Sequence, residues 1–281
     1  MEALFFSSPQ SYKTLMKKSF SIYKENFLIT LPFAFLTSLF IFLPRILSDF
    51  SGENLLPAFN NPFGFYQFVL ALINITALVP FLSIIWHMYC NAKKRHEPLS
   101  EDIVMGARKV IFVFISAIIV GLFMLSAIYL AYRSQIYILS FLSMPADTLK
   151  TFFIFAVLAV EYFILWYFYL IFVFFLPLIV IENKNIISSI IKSMSITWNH
   201  WWRLFSLQVT PWICYLGLLF FLKDFIGLNI HIYFVQNPSP QNLFVTFLHL
   251  IIFMLFIPWV AALLLLQLKD LELRKILNQK R

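Results

Sequence analysis

An acidic residue in the middle of an apolar stretch is the strongest chemical signal in this sequence. Glu161 lies about ten residues into the run that begins near Thr151, a depth of about 15 Å. The same counting puts Asn74 about 12 Å deep, and His249 and Ser126 about 9 Å deep, in other runs. A Glu161–His249 pair could relay protons or bind a cation. Alternatively, a protonated Glu161 that hydrogen-bonds to Tyr or Asn would only hold helices together.

A second polar group, His87, Cys90 and His96, follows another apolar run. Its spacing is not that of a zinc site, and a fourth ligand is missing, so we predict no metal. The sequence contains no nucleophile elbow, metalloprotease helix or phosphate-binding loop. We therefore predict a protein that is not an enzyme and that needs no cofactor.

The composition shows what must hold these residues in place. Hydrophobic residues make up 61% of the chain and charged residues 12%, whereas soluble domains are nearer half apolar and a quarter charged. We therefore predict a single all-α membrane domain over residues 1–281. Backbone that faces lipid must satisfy its own polar groups, and an α-helix does so within one segment. We predict six transmembrane helices near 27–47, 66–90, 110–132, 151–180, 203–222 and 243–268.

The distribution of Lys and Arg predicts the orientation. Of the 21 Lys and Arg residues, all but Arg45, Arg133, Lys150 and Lys223 fall in the two terminal segments and the second and fourth connections. The positive-inside rule then makes both termini cytoplasmic. The net charge of +8 is explained by topology and by anionic lipid headgroups, and nucleic acid is not an expected partner.

One short pattern occurs twice. KSFSIYKENF at 18–27 and KSMSITWNHW at 192–201 each precede an apolar run. A weaker counterpart lies near Ser100, and each even-numbered span carries a proline (Pro80, Pro177, Pro258). We predict three repeats, 1–97, 98–182 and 183–281, each an amphipathic helix followed by a transmembrane hairpin. The amphipathic helices would be 10–26, 98–109 and 183–202, lying in the inner interface. Alternatively, basic aromatic lead-ins and helix prolines are simply common in multi-span proteins.

The repeated segments also supply candidates for lipid contact. Four basic side chains are placed to meet phosphates, and three tryptophans to lie at the glycerol level: Lys17, Lys18, Lys192 and Arg203, with Trp198, Trp201 and Trp202. Asp270 and Arg274 are spaced i, i+4 near the C terminus, which favours a solvated helix pair.

Two stretches resemble a known family. They are LPLIVIENKNIISSIIKSMSITWNHWWRLF and the closing PWVAALLLLQLKDLELRK. Both resemble bacterial six-span inner-membrane proteins of the YciC type, whose fold is similar to the membrane domain fused to some glycerophosphoryl diester phosphodiesterases. The tyrosines of that family's closing motif are absent, and His200 replaces its usual glycine. The resemblance implies six spans in a bacterial inner membrane and no established activity.

These observations lead to two functional expectations. The first is a non-enzymatic scaffold or lipid-interacting accessory factor in envelope homeostasis, with membrane lipids as expected partners and another membrane protein as a candidate partner. The second is a transporter of small solutes or lipids that uses Glu161 as its titrating group.

Overall fold

The computed structural model describes residues 8–52, 65–95, 97–141, 147–227 and 239–279. Within these ranges the regular structure is entirely helical, so the predicted all-α class is confirmed. The helices are α1 (Tyr12–Ser51), α2 (Phe65–Ala92), α3 (Leu99–Phe141), α4 (Asp147–Phe172), α5 (Phe175–Glu182), α6 (Ile186–Thr197), α7 (Trp201–Asp224) and α8 (Leu243–Gln279). Six helical segments are long and apolar enough to cross a membrane, α4 and α5 together forming the fourth. The protein is therefore a multi-pass membrane protein.

Two of the three expected interfacial helices are not separate elements. Residues 10–26 and 98–109 belong to the first turns of α1 and α3, which continue without a break for 40 and 43 residues. At 1.5 Å per residue each is about 60 Å long, twice the hydrocarbon thickness of a bilayer. The prediction of separate helices is wrong here because neither junction contains a helix breaker. Instead, Asn26 donates to its own helix at the Ile22 carbonyl, 2.8 Å away.

The segment predicted at 183–202 does contain a separate helix. α6 spans 12 residues and ends at Thr197. The His200 amide then donates to the Thr197 carbonyl at 2.9 Å, and His200 leaves the helical region before α7 begins. The turn therefore separates α6 from α7.

The fourth span is interrupted between α4 and α5, ahead of Pro177. Proline has no amide hydrogen, and its ring clashes with the carbonyl four residues earlier, which here belongs to Val173. The interruption removes helical partners from nearby carbonyls. One of these, that of Ile171, accepts a hydrogen bond from the Ser193 hydroxyl of α6 at 2.6 Å. Thus α6 packs where the fourth span is broken.

Contacts between distant segments bring the basic segments to one end of the bundle. Hydrogen bonds join Gln10 to Asp270, Asn26 to Asn91, and Lys109 to Asn183. We call this the basic end, comprising residues 8–26, 87–110, 182–203 and 267–279. One core cluster reaches from this end into the bundle and draws on α1, α2, α3, α4, α5, α7 and α8. α2 and α3 approach closely at Gly106, where an added Cβ would lie 2.5 Å from the Val79 carbonyl oxygen.

Candidate functional site

A buried carboxylate organises the basic end. Asp270 is 1% exposed, and its Oδ2 accepts from Arg203 Nε at 3.1 Å and Arg274 Nε at 2.9 Å. Its Oδ1 accepts from the Gln10 backbone amide at 2.7 Å. The Nη2 groups of both arginines donate to the Gln10 carbonyl. We call these four residues the Asp270 clamp, which joins the segment before α1, the start of α7 and the end of α8.

The Asp270 clamp corrects one prediction and bears on another. The i, i+4 pair of Asp270 and Arg274 exists, but its carboxylate is buried rather than solvated. The Arg203 guanidinium is paired within the chain, and its contact with lipid phosphate stays a prediction. Sequence spacing shows the pair with Arg274 but gives no sign of Arg203 or Gln10, which lie 67 and 260 positions away from Asp270.

A second ionic network joins α5, α6 and α8. Lys192 Nζ donates to both oxygens of Glu182, at 2.9 and 2.7 Å, and to Glu272. Lys269 contacts Glu272 at 2.7 Å. Partial burial works to lower the pKa of Lys192, but the hydrogen bonds to the two carboxylates outweigh it, and that pKa is raised. Lys192 therefore holds α6 in place, and the carboxylates of Glu182 and Glu272 already compensate its charge.

A third polar contact joins α2 to α3. His87 Nδ1 lies 2.8 Å from Asp102 Oδ2, and Asp102 is fully buried. Next to it, Trp86 Nε1 donates to Glu97 at 2.9 Å. Within the described residues no three His, Cys, Asp or Glu side chains form a group that could hold a metal. His96, which belonged to the candidate metal group, lies outside those residues.

The outward surface of α6 is apolar. Ile187 and Ile191 are 69% and 59% exposed, and Trp198 just after the helix is 59% exposed. These three residues share one helical face. The opposite face buries Ser189, Ser193 and Thr197 completely. The inward side of α6 also holds Ile196, which is 2% exposed, so α6 has a mixed buried face and, in addition, an exposed apolar one.

The start of α7 extends this apolar surface. Trp202 is 62% exposed and stacks on Trp201, with ring centroids 4.3 Å apart. Trp201 in turn packs edge-on against Tyr167 of α4. We call Ile187, Ile191, Trp198 and Trp202 the exposed strip. Lys17, on α1, is also exposed, whereas Lys18 is half-buried and takes part in a contact.

The intramembrane candidates do not form one cluster. His249 bonds through Nε2 to the Tyr215 hydroxyl of α7 and packs edge-on against Phe42, with centroids 4.9 Å apart. The Oε1 atom of Glu161 is buried and has no hydrogen-bond partner among the described residues. The expected Glu161–His249 pair is therefore not formed, and no sequence pattern indicates Tyr215 as the partner of His249.

The two other intramembrane candidates lie on different surfaces. Ser126 is exposed and donates to the Phe123 carbonyl of its own helix at 2.7 Å. Asn74 is exposed and borders a cavity of about 500 Å³ that the described parts of α1–α5, α7 and α8 enclose. Glu161 and His249 are not among the residues that line it.

Partial burial, together with the positive charges of Arg274 and Arg203, lowers the pKa of His200 at the edge of the Asp270 clamp. His200 is therefore biased towards its neutral form. The basic end as a whole combines rigid internal ion pairing with an exposed apolar strip. This combination can bind an apolar or interfacial surface.

No family model, curated protein or solved structure matches this chain.

Proposed function

We propose that the protein is a non-enzymatic, lipid-interacting scaffold of the cytoplasmic membrane, with its basic end on the cytoplasmic side. Envelope homeostasis in a bacterium, as the YciC-type resemblance implies, is the setting we propose for it. The observation that carries the proposal is the exposed strip itself. Its four large apolar side chains are each 59–69% exposed beside the basic end.

An exposed apolar helix face next to basic segments is typical of elements that lie in the membrane interface. Tryptophans favour the headgroup level because their rings are amphipathic. Ionic contacts with Glu182 and Glu272 tie α6 to the bundle through Lys192. The strip is thus presented by a fixed support, as a scaffold surface requires.

Ion pairs within the chain change which basic side chains can bind lipid phosphate. Lys192 and Arg203 are engaged within the chain, so the proposal assigns lipid phosphate to Lys17, which is exposed. The exposed strip supplies the apolar part of the same contact. Each exposed lysine near an anionic leaflet contributes about 1 kcal/mol to membrane attraction.

The test uses cells that lack the native copy. Ile187→Asp with Ile191→Asp would place charge in the interface, and Lys17→Glu would reverse one headgroup contact. We expect both changes to reduce growth complementation and the anionic lipid that co-purifies with the protein. The matched control is Lys223→Glu, a reversal of an exposed lysine near the other end of α7. The proposal fails if the strip variants, at normal folded yield, behave like this control.

The second candidate function is transport of a small solute or lipid with Glu161 as the titrating group. It is favoured by one observation, the buried Glu161 oxygen without a partner. Glu161→Gln keeps the shape and the hydrogen-bonding capacity but cannot ionise. Lost complementation at normal folded yield would support transport and would count against the scaffold. Unchanged complementation would make Glu161 structural.

A further inference from the structure

The cavity in the middle of the bundle is long and narrow. Its lining on α3 extends from Phe114 to Met124, and on α8 from Phe253 to Leu264. Each stretch corresponds to about 15 Å along the helix axis. A volume of about 500 Å³ over that length gives a mean cross-section of about 33 Å². The cavity therefore runs parallel to the helices.

These dimensions decide between kinds of occupant. An α-helix with its side chains is about 10–12 Å wide, a cross-section of about 80–110 Å². The cavity is narrower than a helix from a partner protein, and it is wide enough for one extended hydrocarbon chain. Its volume is within the range of about 300–1,000 Å³ that is typical of small-molecule sites.

The lining is uncharged. Among the lining residues in the described part of the chain, nitrogen or oxygen side-chain atoms occur in Thr37, Asn74, Tyr169 and Trp212. The Thr37 hydroxyl is already bonded to the Phe33 carbonyl of its own helix at 2.9 Å. An ion or sugar-like solute would lose its hydration here without enough compensating partners. A hydrocarbon chain would not.

The cavity also opens towards lipid. Ile41 and Tyr169 line it and are 38% and 39% exposed. Asn74, which also lines it, is exposed too. Ile41 and Asn74 belong to segments that can span a membrane, so an opening beside them leads to acyl chains. A chain can therefore enter from the side.

We propose that this cavity binds one acyl chain of a bilayer phospholipid. The inference does not depend on the exposed strip, because α6 contributes nothing to the lining. Failure of one proposal therefore leaves the other standing. Ile257 supplies the internal reporter, because it lines the cavity and is only 6% exposed.

The experiment uses the full-length protein in nanodiscs of phosphatidylethanolamine and phosphatidylglycerol. A small fraction of the phosphatidylglycerol carries a photoactivatable diazirine midway along one acyl chain. After irradiation, adducts are mapped by mass spectrometry. We expect adducts on Ile257 as well as on Ile251, which faces lipid on the same helix at 47% exposure. Adducts on Ile251 without any on Ile257 would overturn the proposal.

A filling variant sharpens the result. Ala117→Trp places a large ring in the cavity lining, and Ile118→Trp places it on the next residue, which is 45% exposed. We expect the first to abolish adducts on Ile257 and the second to leave them unchanged. Persistent adducts in a folded Ala117→Trp protein would overturn the proposal.

Two further arms keep the test decisive. If Ala117→Trp does not fold, as judged by gel filtration and thermal unfolding, the comparison of Ile257 with Ile251 in the wild type decides the question. A diazirine-bearing free fatty acid is tested in parallel. Labelling of Ile257 by the fatty acid but not by the phospholipid would overturn the assignment to a bilayer phospholipid.

Discussion

Residues 18–27 and 192–201 have closely similar sequences but different structures. The first segment lies inside the uninterrupted α1, whereas the second contains the end of α6, a turn and the start of α7. Both retain one feature, a fully buried serine at the matching position, Ser19 or Ser193. The similarity therefore preserves a buried contact without preserving the path of the backbone.

The different paths follow from different neighbours. Ser19 donates to the Met16 carbonyl of its own helix and accepts from Trp259 Nε1 at 3.1 Å, which leaves α1 straight enough to continue. Ser193 instead donates to Ile171, on another span. A short sequence that tolerates either arrangement adopts the one its surroundings support.

The largest expected effect comes from removing the charge of Asp270, which holds Arg203 just after residues 192–201. Asp270→Asn leaves Arg203 and Arg274 without their counterion. We expect a loss of about 3 kcal/mol in the free energy of unfolding, at the low end for a broken buried pair because both arginines are partly exposed. Unfolding by SDS in mixed micelles measures this. Asp224→Asn, at an exposed carboxylate, is the control, and equal losses would contradict a buried clamp.

The next effect separates the two serines directly. Ser193→Ala removes the 2.6 Å hydrogen bond to the buried Ile171 carbonyl and leaves it the longer, 3.3 Å bond from the Thr197 hydroxyl, and we expect a loss of about 1–2 kcal/mol. Ser19→Ala removes a donor whose acceptor lies within its own helix and also the acceptor of the partly buried Trp259 Nε1, and we expect about 1 kcal/mol. The same unfolding assay compares them. A larger loss for Ser19→Ala than for Ser193→Ala would contradict the conclusion that residues 192–201 are the segment held by a neighbouring span.

A smaller effect concerns the lysine that anchors the second segment. Lys192→Met keeps the apolar stem but leaves Glu182 and Glu272 to share Lys269, which lies 3.9 Å from the first and 2.7 Å from the second. We expect a loss of about 1 kcal/mol at neutral pH, because the pair is partly exposed.

The pH dependence of this loss can be predicted in sign. Since the folded pKa of Lys192 is raised, its contribution is complete below the ordinary lysine pKa and disappears as the pH rises through the folded value. The difference between wild type and Lys192→Met should therefore shrink at alkaline pH in thermal unfolding. Lys17→Met, at an exposed lysine, should show no such convergence.

The smallest effect comes from making the second segment more like the first. His200 corresponds to Asn26, and its pKa is lowered in the folded protein. The unfolded state then binds more protons between the folded pKa and the ordinary histidine pKa, so stability falls as the pH drops through that window. His200→Asn should flatten the dependence of the melting temperature between about pH 7.5 and 5. If the melting temperature of His200→Asn depends on pH as steeply as that of the wild type, another group causes the dependence.

Much of the fold could be predicted from sequence because span formation is a local property. A run of apolar residues long enough to cross the bilayer must form a helix wherever it lies in the chain. The six spans follow from this. The helix break at Pro177 was less predictable, because α1, α2, α7 and α8 continue through their prolines.

The candidate site could be predicted only in part. Trp198 and Trp202 are exposed, as an interfacial role requires. Lys192 and Arg203, by contrast, form ion pairs within the chain. A lysine near a membrane looks the same in sequence whether it meets a phosphate or a carboxylate. The carboxylates that decide the matter, Glu272 and Asp270, lie 80 and 67 positions away.

The sequence by itself determined the helical class, the number of spans and the segregation of basic residues, because hydrophobicity and charge act residue by residue. Tertiary structure alone decided that Asp270 is buried, that His249 bonds to Tyr215 rather than Glu161, and that seven helices leave a narrow apolar cavity between them. These features depend on which side chains from distant segments come into contact. Burial and electrostatic pairing arise only from such contacts.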